Sequence, residues 1–293
     1  LTADANLKSL ATPEVNPLTQ YFRQPKVYVT LPSKGKYYTS DALNMPETGE
    51  LPVFAMTAKD ELTMKTPDAL LNGQATVNVI KSCVPNIADP WQMPSIDLDA
   101  ILVAIRIATY GESLDLETKI PVTGEERTFQ ADLRQMLNKL VTVDYIDEVH
   151  IGDFLLTLRP LTYKEFTATS LKTFEEQRIF ATINDDELPD ADKLEKFAES
   201  FQKLTDLTVA MMSKGIAKIN IGETEVTNAD HIDEFINNVD KDIYQSILDH
   251  LDDQRKKFVI EPLTVQTTAE DREAGAPETF EVPITFDSSN FFA

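Results

Sequence analysis

The sequence predicts an α+β fold: an N-terminal module of β-hairpins around one buried helix, followed by a mostly helical hairpin module. Three observations predict it. Ile96 to Tyr110 is apolar on nearly every side, with Arg106 its only charge past the first turn, so a neighbour on one face cannot satisfy it and the helix belongs in a core. Apolar residues alternate along Ser113 to Leu133, the period of a half-buried strand. From Thr162 to Lys257 the apolar period lengthens to three and four residues, which is helical.

Composition bounds the rest. The chain has 293 residues, 42% of them hydrophobic, enough for at least one real core. Lysine and arginine total 27 against 49 aspartates and glutamates, a formal charge of −22. That balance repels phosphate backbones and anionic lipid, so no nucleic-acid or membrane partner is expected. The longest apolar helix is shorter than the roughly 20 residues a bilayer needs. A single cysteine, Cys83, rules out an internal disulfide and an all-cysteine metal site, and fits a reducing compartment.

In chain order, residues 1–16 are small, polar and aperiodic, and read as a flexible arm. An α+β core module is placed at 17–161. Its first strand carries Val27, Val29 and Leu31 before a Pro32–Gly35 turn, and a second covers Leu51 to Met56. Helices open at Thr57 and at Pro67, the latter closed by Asn72–Gly73, while Ala75 to Ser82 reads equally as helix or strand. Pro85, Pro90 and Pro94 stiffen an arm carrying the only tryptophan, Trp91, which serves as framework or as a binding strand. The central helix follows, with Ser95 as N-cap and Gly111 as stop. A hairpin over 113–133 and an extended pair from Val149 to Leu161 complete the module.

A helical module is placed at 162–260. Thr162 and Glu165 have capping-box spacing and open a helix to about Ile183. Asp190 to Lys214 forms a second helix, whose Leu194, Phe197, Phe201, Leu204, Thr208 and Met211 make a seam for the preceding helix or for another chain. A small hairpin, Ile216 to Ile221 with Thr224 to Val226, and helices at Ala229 to Asn237 and Lys241 to Lys257 follow. A C-terminal β-hairpin and docking tail is placed at 261–293, ending in an exposed-looking Asn290–Phe292.

No motif for catalysis or cofactor binding is present. The three histidines, His150, His231 and His250, form no HxxxH pair, and the chain lacks GxGxxG, P-loop and GxSxG sequences. Close carboxylates are expected by chance among 49, so Asp185–Glu187 and Asp252–Asp253 read as solvated surface. No cofactor and no metal site is expected, and no enzyme. The residues singled out are aromatic or cationic groups costly to leave exposed: Tyr21, Phe22, Arg23, Trp91, Phe291 and Phe292, read as partner contacts or, for the aromatics, as packing on the chain's own core.

The runs NPLTQYFRQPKVYVTLPSKGKYY (Asn16 to Tyr38), FAMTAKDEL (Phe54 to Leu62), PDALLNGQA (Pro67 to Ala75), SCVPNI (Ser82 to Ile87) and DLDAILVAIRIATYG (Asp97 to Gly111), with PITFDSSNFF (Pro283 to Phe292), resemble the baseplate hub and hub-assembly family of T-even-type contractile-tailed bacteriophages. The resemblance implies a structural or assembly protein made in the host cytoplasm and working at the tail baseplate through contacts with other tail proteins, in a symmetric assembly. A transient assembly chaperone and, more remotely, a carboxylate-based envelope hydrolase are the competing readings. Some members of the family carry Cys-x-x-Cys pairs at two hairpin tips. Here those tips, Val122 to Glu126 and Thr268 to Glu273, have no cysteine, which excludes a thiolate zinc site there and leaves the hairpins to side-chain pairing.

Overall fold

Helix Leu98–Tyr110 runs through the main core with nine consecutive buried residues, Ala100 to Ala108. The protein is described by a computed structural model over residues 16–65, 73–183, 190–286 and 291–292; the helix expected at Pro67 and the loop at 184–189 lie outside the described residues. In chain order the strands are β1 (Pro25–Val29), β2 (Leu51–Phe54), β3 (Ser113–Lys119), β4 (Glu126–Asp132), β5 (Glu148–Ile151), β6 (Phe154–Leu158), β7 (Ile216–Ile221), β8 (Thr224–Val226), β9 (Leu263–Gln266) and β10 (Thr279–Val282). The helices are α1 (Ala58–Met64), α2 (Gln74–Cys83), α3 (Leu98–Tyr110), α4 (Leu133–Thr142), α5 (Tyr163–Ile183), α6 (Asp190–Gly215), α7 (Ala229–Asn238), α8 (Lys241–Lys256) and α9 (Ala269–Glu273). Helices and small sheets are mixed, as the α+β class requires.

The antiparallel pair β1–β2 covers one side of α3, and α2 and α4 cover others. The ambiguous Ala75 to Ser82 is therefore helical. Ser95 does not cap α3: Ser95–Asp97 is a 3₁₀ turn leading into it, and the N-cap position falls on Asp97. That carboxylate is turned away from the helix amides, because Ser33 and Tyr38 claim it. Arg106 is buried with its guanidinium over the Tyr110 ring at 4.7 Å, which explains a lone charge in an apolar helix. Gly111, at φ 98°, ends the helix in backbone geometry that a side chain disfavours.

The β3–β4 hairpin has Leu114 opposite Ala131 and Leu116 opposite Phe129, the expected register of one apolar face. It is followed by α4, an element not anticipated from the sequence, which buries Leu133, Leu137 and Leu140. Asp132 caps it through Gln135 N at 3.0 Å.

Strands β5, β6, β7 and β8 form one antiparallel sheet in that order, so strands from either side of the 161/162 division are hydrogen-bonded together. Leu156 and Leu158 from β6 join Met212, Ile216, Ile219, Ile232, Ile236 and Ile247 in a second hydrophobic cluster. The proline-stiffened arm ties this region to the first: Ser95 N donates to Leu161 O at 2.8 Å, and Tyr163 N to Met93 O at 2.7 Å. The capping box is present, with Thr162 N 2.9 Å from Glu165 Oε2 and Glu165 N 3.2 Å from Thr162 Oγ1. Arg159 grips the same carboxylate with both nitrogens, at 3.0 and 2.9 Å.

Helix α6 packs on α5 within the chain, with Lys203 3.6 Å from Glu176 across the pair. The predicted seam is rotated: Ser200 is buried and Leu204 half-buried, while Leu194 (71% exposed) and Phe201 (61%) face outward.

The C-terminal pair β9–β10 lies against β3–β4, with Phe129 and Phe280 edge-to-face at 5.8 Å. Arg127 of β4 meets Asp271 of α9 through both nitrogens, at 2.8 and 3.3 Å. That fork, with the Thr268–Asp271 capping box, joins the two cysteine-free tips. The Arg127 hydrogen bond is the main reason the Asp271 carboxyl is lowered to about 2, aided by Thr268. Arg127→Ala is expected to speed amide hydrogen exchange in β9, α9 and β10 while leaving α3 protected; unchanged exchange there would assign the junction to Phe129 and Phe280 alone.

Candidate protein-interaction site

The described groups whose acidity departs most from its ordinary value are held in structural contacts. Cys83 is buried, and burial together with Asp60 pushes its thiol up to about 12, which suits packing and not nucleophilic attack. Two carboxyls sit well above their ordinary range, Asp97 and Asp99, each raised to about 6 by burial. Both are engaged: Asp97 by Ser33 and Tyr38, and Asp99 by Ile260 N at 2.8 Å. Neither lines either of two surface grooves. One, of about 330 Å³, lies between Trp91 and α5 and is lined by Asp89, Gln92 and Lys164 among others. The other, of about 270 Å³, lies between α4 and residues 257–264. Among the described residues no cluster of three histidines, cysteines or carboxylates has metal-site geometry.

The six singled-out residues separate into three groups. Tyr21 (77% exposed) and Phe22 (58%) are on the surface. Tyr21 ends a 3₁₀ turn, Pro17–Tyr21, that buries none of its residues, and Phe22 is its C-cap. Local chemistry fixes this turn: Asn16 accepts from Leu18 N at 3.0 Å, and Pro17 stands at its first position. Arg23 points the other way. It donates to Ala55 O, to Ser82 O at 2.6 Å and to Ser82 Oγ at 2.8 Å, lies 3.4 Å from Asp60 Oδ2, and stands over the Phe54 ring at 5.7 Å. Its guanidinium is engaged with the chain's own backbone and side chains, so it anchors the segment.

Trp91 is half-buried, stacked on Tyr163 at 5.5 Å and 19°, at the junction of the proline arm with α5. This stacking holds the proline arm against α5. Phe291 and Phe292 are 1% exposed and belong to the main core. The exposed-looking tail is thus corrected: its rings pack on Phe286 and on each other at 4.8 and 4.9 Å, and Tyr110 Oη donates to Phe292 O at 3.3 Å.

Other apolar residues are exposed as well, among them Leu194 and Phe201, which the sequence places in the helix seam. Leu18 is exposed in the same turn as Tyr21 and Tyr28 on β1, and Phe174, Leu194 and Phe201 lie on the α5–α6 hairpin. Tyr28 alternates with buried Val27 and Val29, a signal in the sequence that puts it on the outer face of β1.

A family model described as T4 bacteriophage base plate protein matches residues 24–273. The chain belongs to this family. No significant match was found among curated proteins or solved structures. The baseplate match covers the second hydrophobic cluster, the Arg127–Asp271 junction and the main cluster up to Val265, but not Val282, Ile284, Phe291 and Phe292. It makes the chain a T4-type phage baseplate protein, a tail component whose family works among other tail proteins. Of the six residues only Trp91 falls inside the matched span; the exposed Tyr21–Phe22 surface lies just before it. No described helix is long and apolar enough to cross a membrane.

Proposed function

We infer that this baseplate protein is a structural component of the hub region, acting by protein–protein contact and not by catalysis. The observation that carries this reading is the ordered exposure of aromatic residues at 18–28, held in place by a cap, a proline and the Arg23 anchor. Surface of that kind gains its free energy when a neighbour covers it. The engagement of both high carboxyls in structural hydrogen bonds is consistent with a non-enzymatic part.

Mass spectrometry of purified particles tests the reading. A fixed copy number relative to the tail-tube protein is expected of a permanent hub component. Presence in infected cells with absence from particles would replace it with a transient assembly factor, a role for which a chain of charge −22 is suited through salt-sensitive contacts with a basic client.

A further inference from the structure

The reading as a hub component leaves open what covers the N-terminal surface, and the inference below rests on that reading. Leu18, Tyr21, Phe22 and Tyr28 are four of the fifteen large apolar residues exposed in the described structure, and they fall within eleven positions. None is needed to hold the turn, which Asn16, Pro17 and Arg23 fix independently. An aromatic surface ordered before binding loses little conformational entropy on contact, the condition for a strong docking site.

Charge narrows the occupant. From Asn16 to Ser40 the sequence holds no aspartate or glutamate, although 49 occur in the 293 residues, and it holds Arg23, Lys26, Lys34 and Lys36. Arg23 is committed to the core, and Lys34 to Asp144. Lys26 is exposed beside Tyr28 and forms no ion pair with a described residue. A two-fold contact between copies presents each patch to itself, so a surface with an unpaired cation and no carboxylate in its sequence stretch is not self-complementary. Tyrosine hydroxyls and an ammonium are donors, and their natural acceptors are carboxylates.

We propose that Leu18, Tyr21, Phe22, Lys26 and Tyr28 form a docking platform for an acidic segment of a different tail protein, one in which carboxylates flank an apolar side chain. The aromatic rings bury the apolar group, Lys26 receives a carboxylate, and the acid-free stretch avoids the repulsion that the remainder of this chain would exert on an acidic partner.

The test is photo-crosslinking during infection, with p-benzoylphenylalanine placed at position 21 or 28 of the full chain. Crosslinked peptides are sequenced by mass spectrometry from both assembly intermediates and finished particles. Crosslinks to an Asp- and Glu-rich segment of another tail protein are expected. In the position-21 chain their yield should fall about tenfold with Lys26→Glu and hold with Lys26→Arg. Both lysine substitutions lie on the surface, and an unchanged melting temperature of the purified chains establishes that the fold is intact. Crosslinks confined to a second copy of this chain or to neutral or basic segments, the absence of crosslinks, or a yield indifferent to Lys26→Glu would each overturn the proposal. Loss of the chain from finished particles, with acidic crosslinks kept in intermediates, would instead overturn the permanent-component reading and leave the platform standing.

Discussion

Alanine at Phe291 or at Phe292 is expected to destabilise the protein by about 3–5 kcal/mol, the cost of deleting a buried aromatic and leaving a cavity. Both rings are 1% exposed and sit in the same cluster as α3 and β1. Their edge-to-face contacts, at 4.8 Å to Phe286 and 4.9 Å to each other, add to the area they remove from water. The rings touch, so the double variant should cost less than the sum of the singles. Even so, a loss of this size is a large share of the about 5–15 kcal/mol that holds a typical domain together. Thermal and urea denaturation of the purified chain measure it, and a drop in melting temperature of about 10 °C is expected for either single variant. A docking tail whose rings waited for a neighbour would behave differently: its alanine variants would melt with the wild type and fail only in assembly.

Periodicity made the local elements legible. The alternation around Val27, the apolar run of α3 and the Thr162–Glu165 cap each report on neighbours a few residues away, and each element formed where that local chemistry placed it. Helix α4 carried the same kind of signal in Leu133, Leu137 and Leu140 but was hidden behind the strand alternation that ends at Leu133. What the sequence could not show were pairings over long separations. Arg23 reads as a surface cation until Ser82, 59 positions away, is folded against it. The tail aromatics read as exposed until Tyr110, 182 positions from Phe292, meets their backbone. On α6 the apolar arc is wider than one helix can cover, and nothing local decides which edge turns inward: Ser200, a small residue, took the close approach, and Leu194 and Phe201 were left outside. The candidate site suffers from the same limit, because exposure, which separates Tyr21 and Phe22 from Phe291 and Phe292, is set by the whole fold.

Asp97→Ala is expected to cost about 3–5 kcal/mol, because it strips a buried acceptor from three donors at once. Ser33 N, Ser33 Oγ and Tyr38 Oη stand 2.7, 2.6 and 2.9 Å from its carboxylate, so this side chain fastens the turn after β1 to the start of α3. Its pH behaviour separates it from an ordinary surface acid. Burial raises its pKa to about 6, against the pull of the Ser33 and Tyr38 hydrogen bonds, so between about pH 4 and 6 the native state holds a proton that the unfolded chain has released. The stability linked to that proton is full below about pH 4 and is lost as pH rises through 6, in total about 3 kcal/mol for a displacement of about two pH units. Asp97→Asn cannot titrate, so the wild type should gain on this variant as pH falls from 7 to 4 in paired urea denaturations. Asp99, raised to about 6 by burial against the Ile260 hydrogen bond, follows the same sign but is present in both proteins and cancels in the comparison. A difference that stayed flat across this range would mean that the clasp is ionised throughout, with its three donors outweighing burial; Asp97→Ala would then still lose the clasp, but acid would not tighten it.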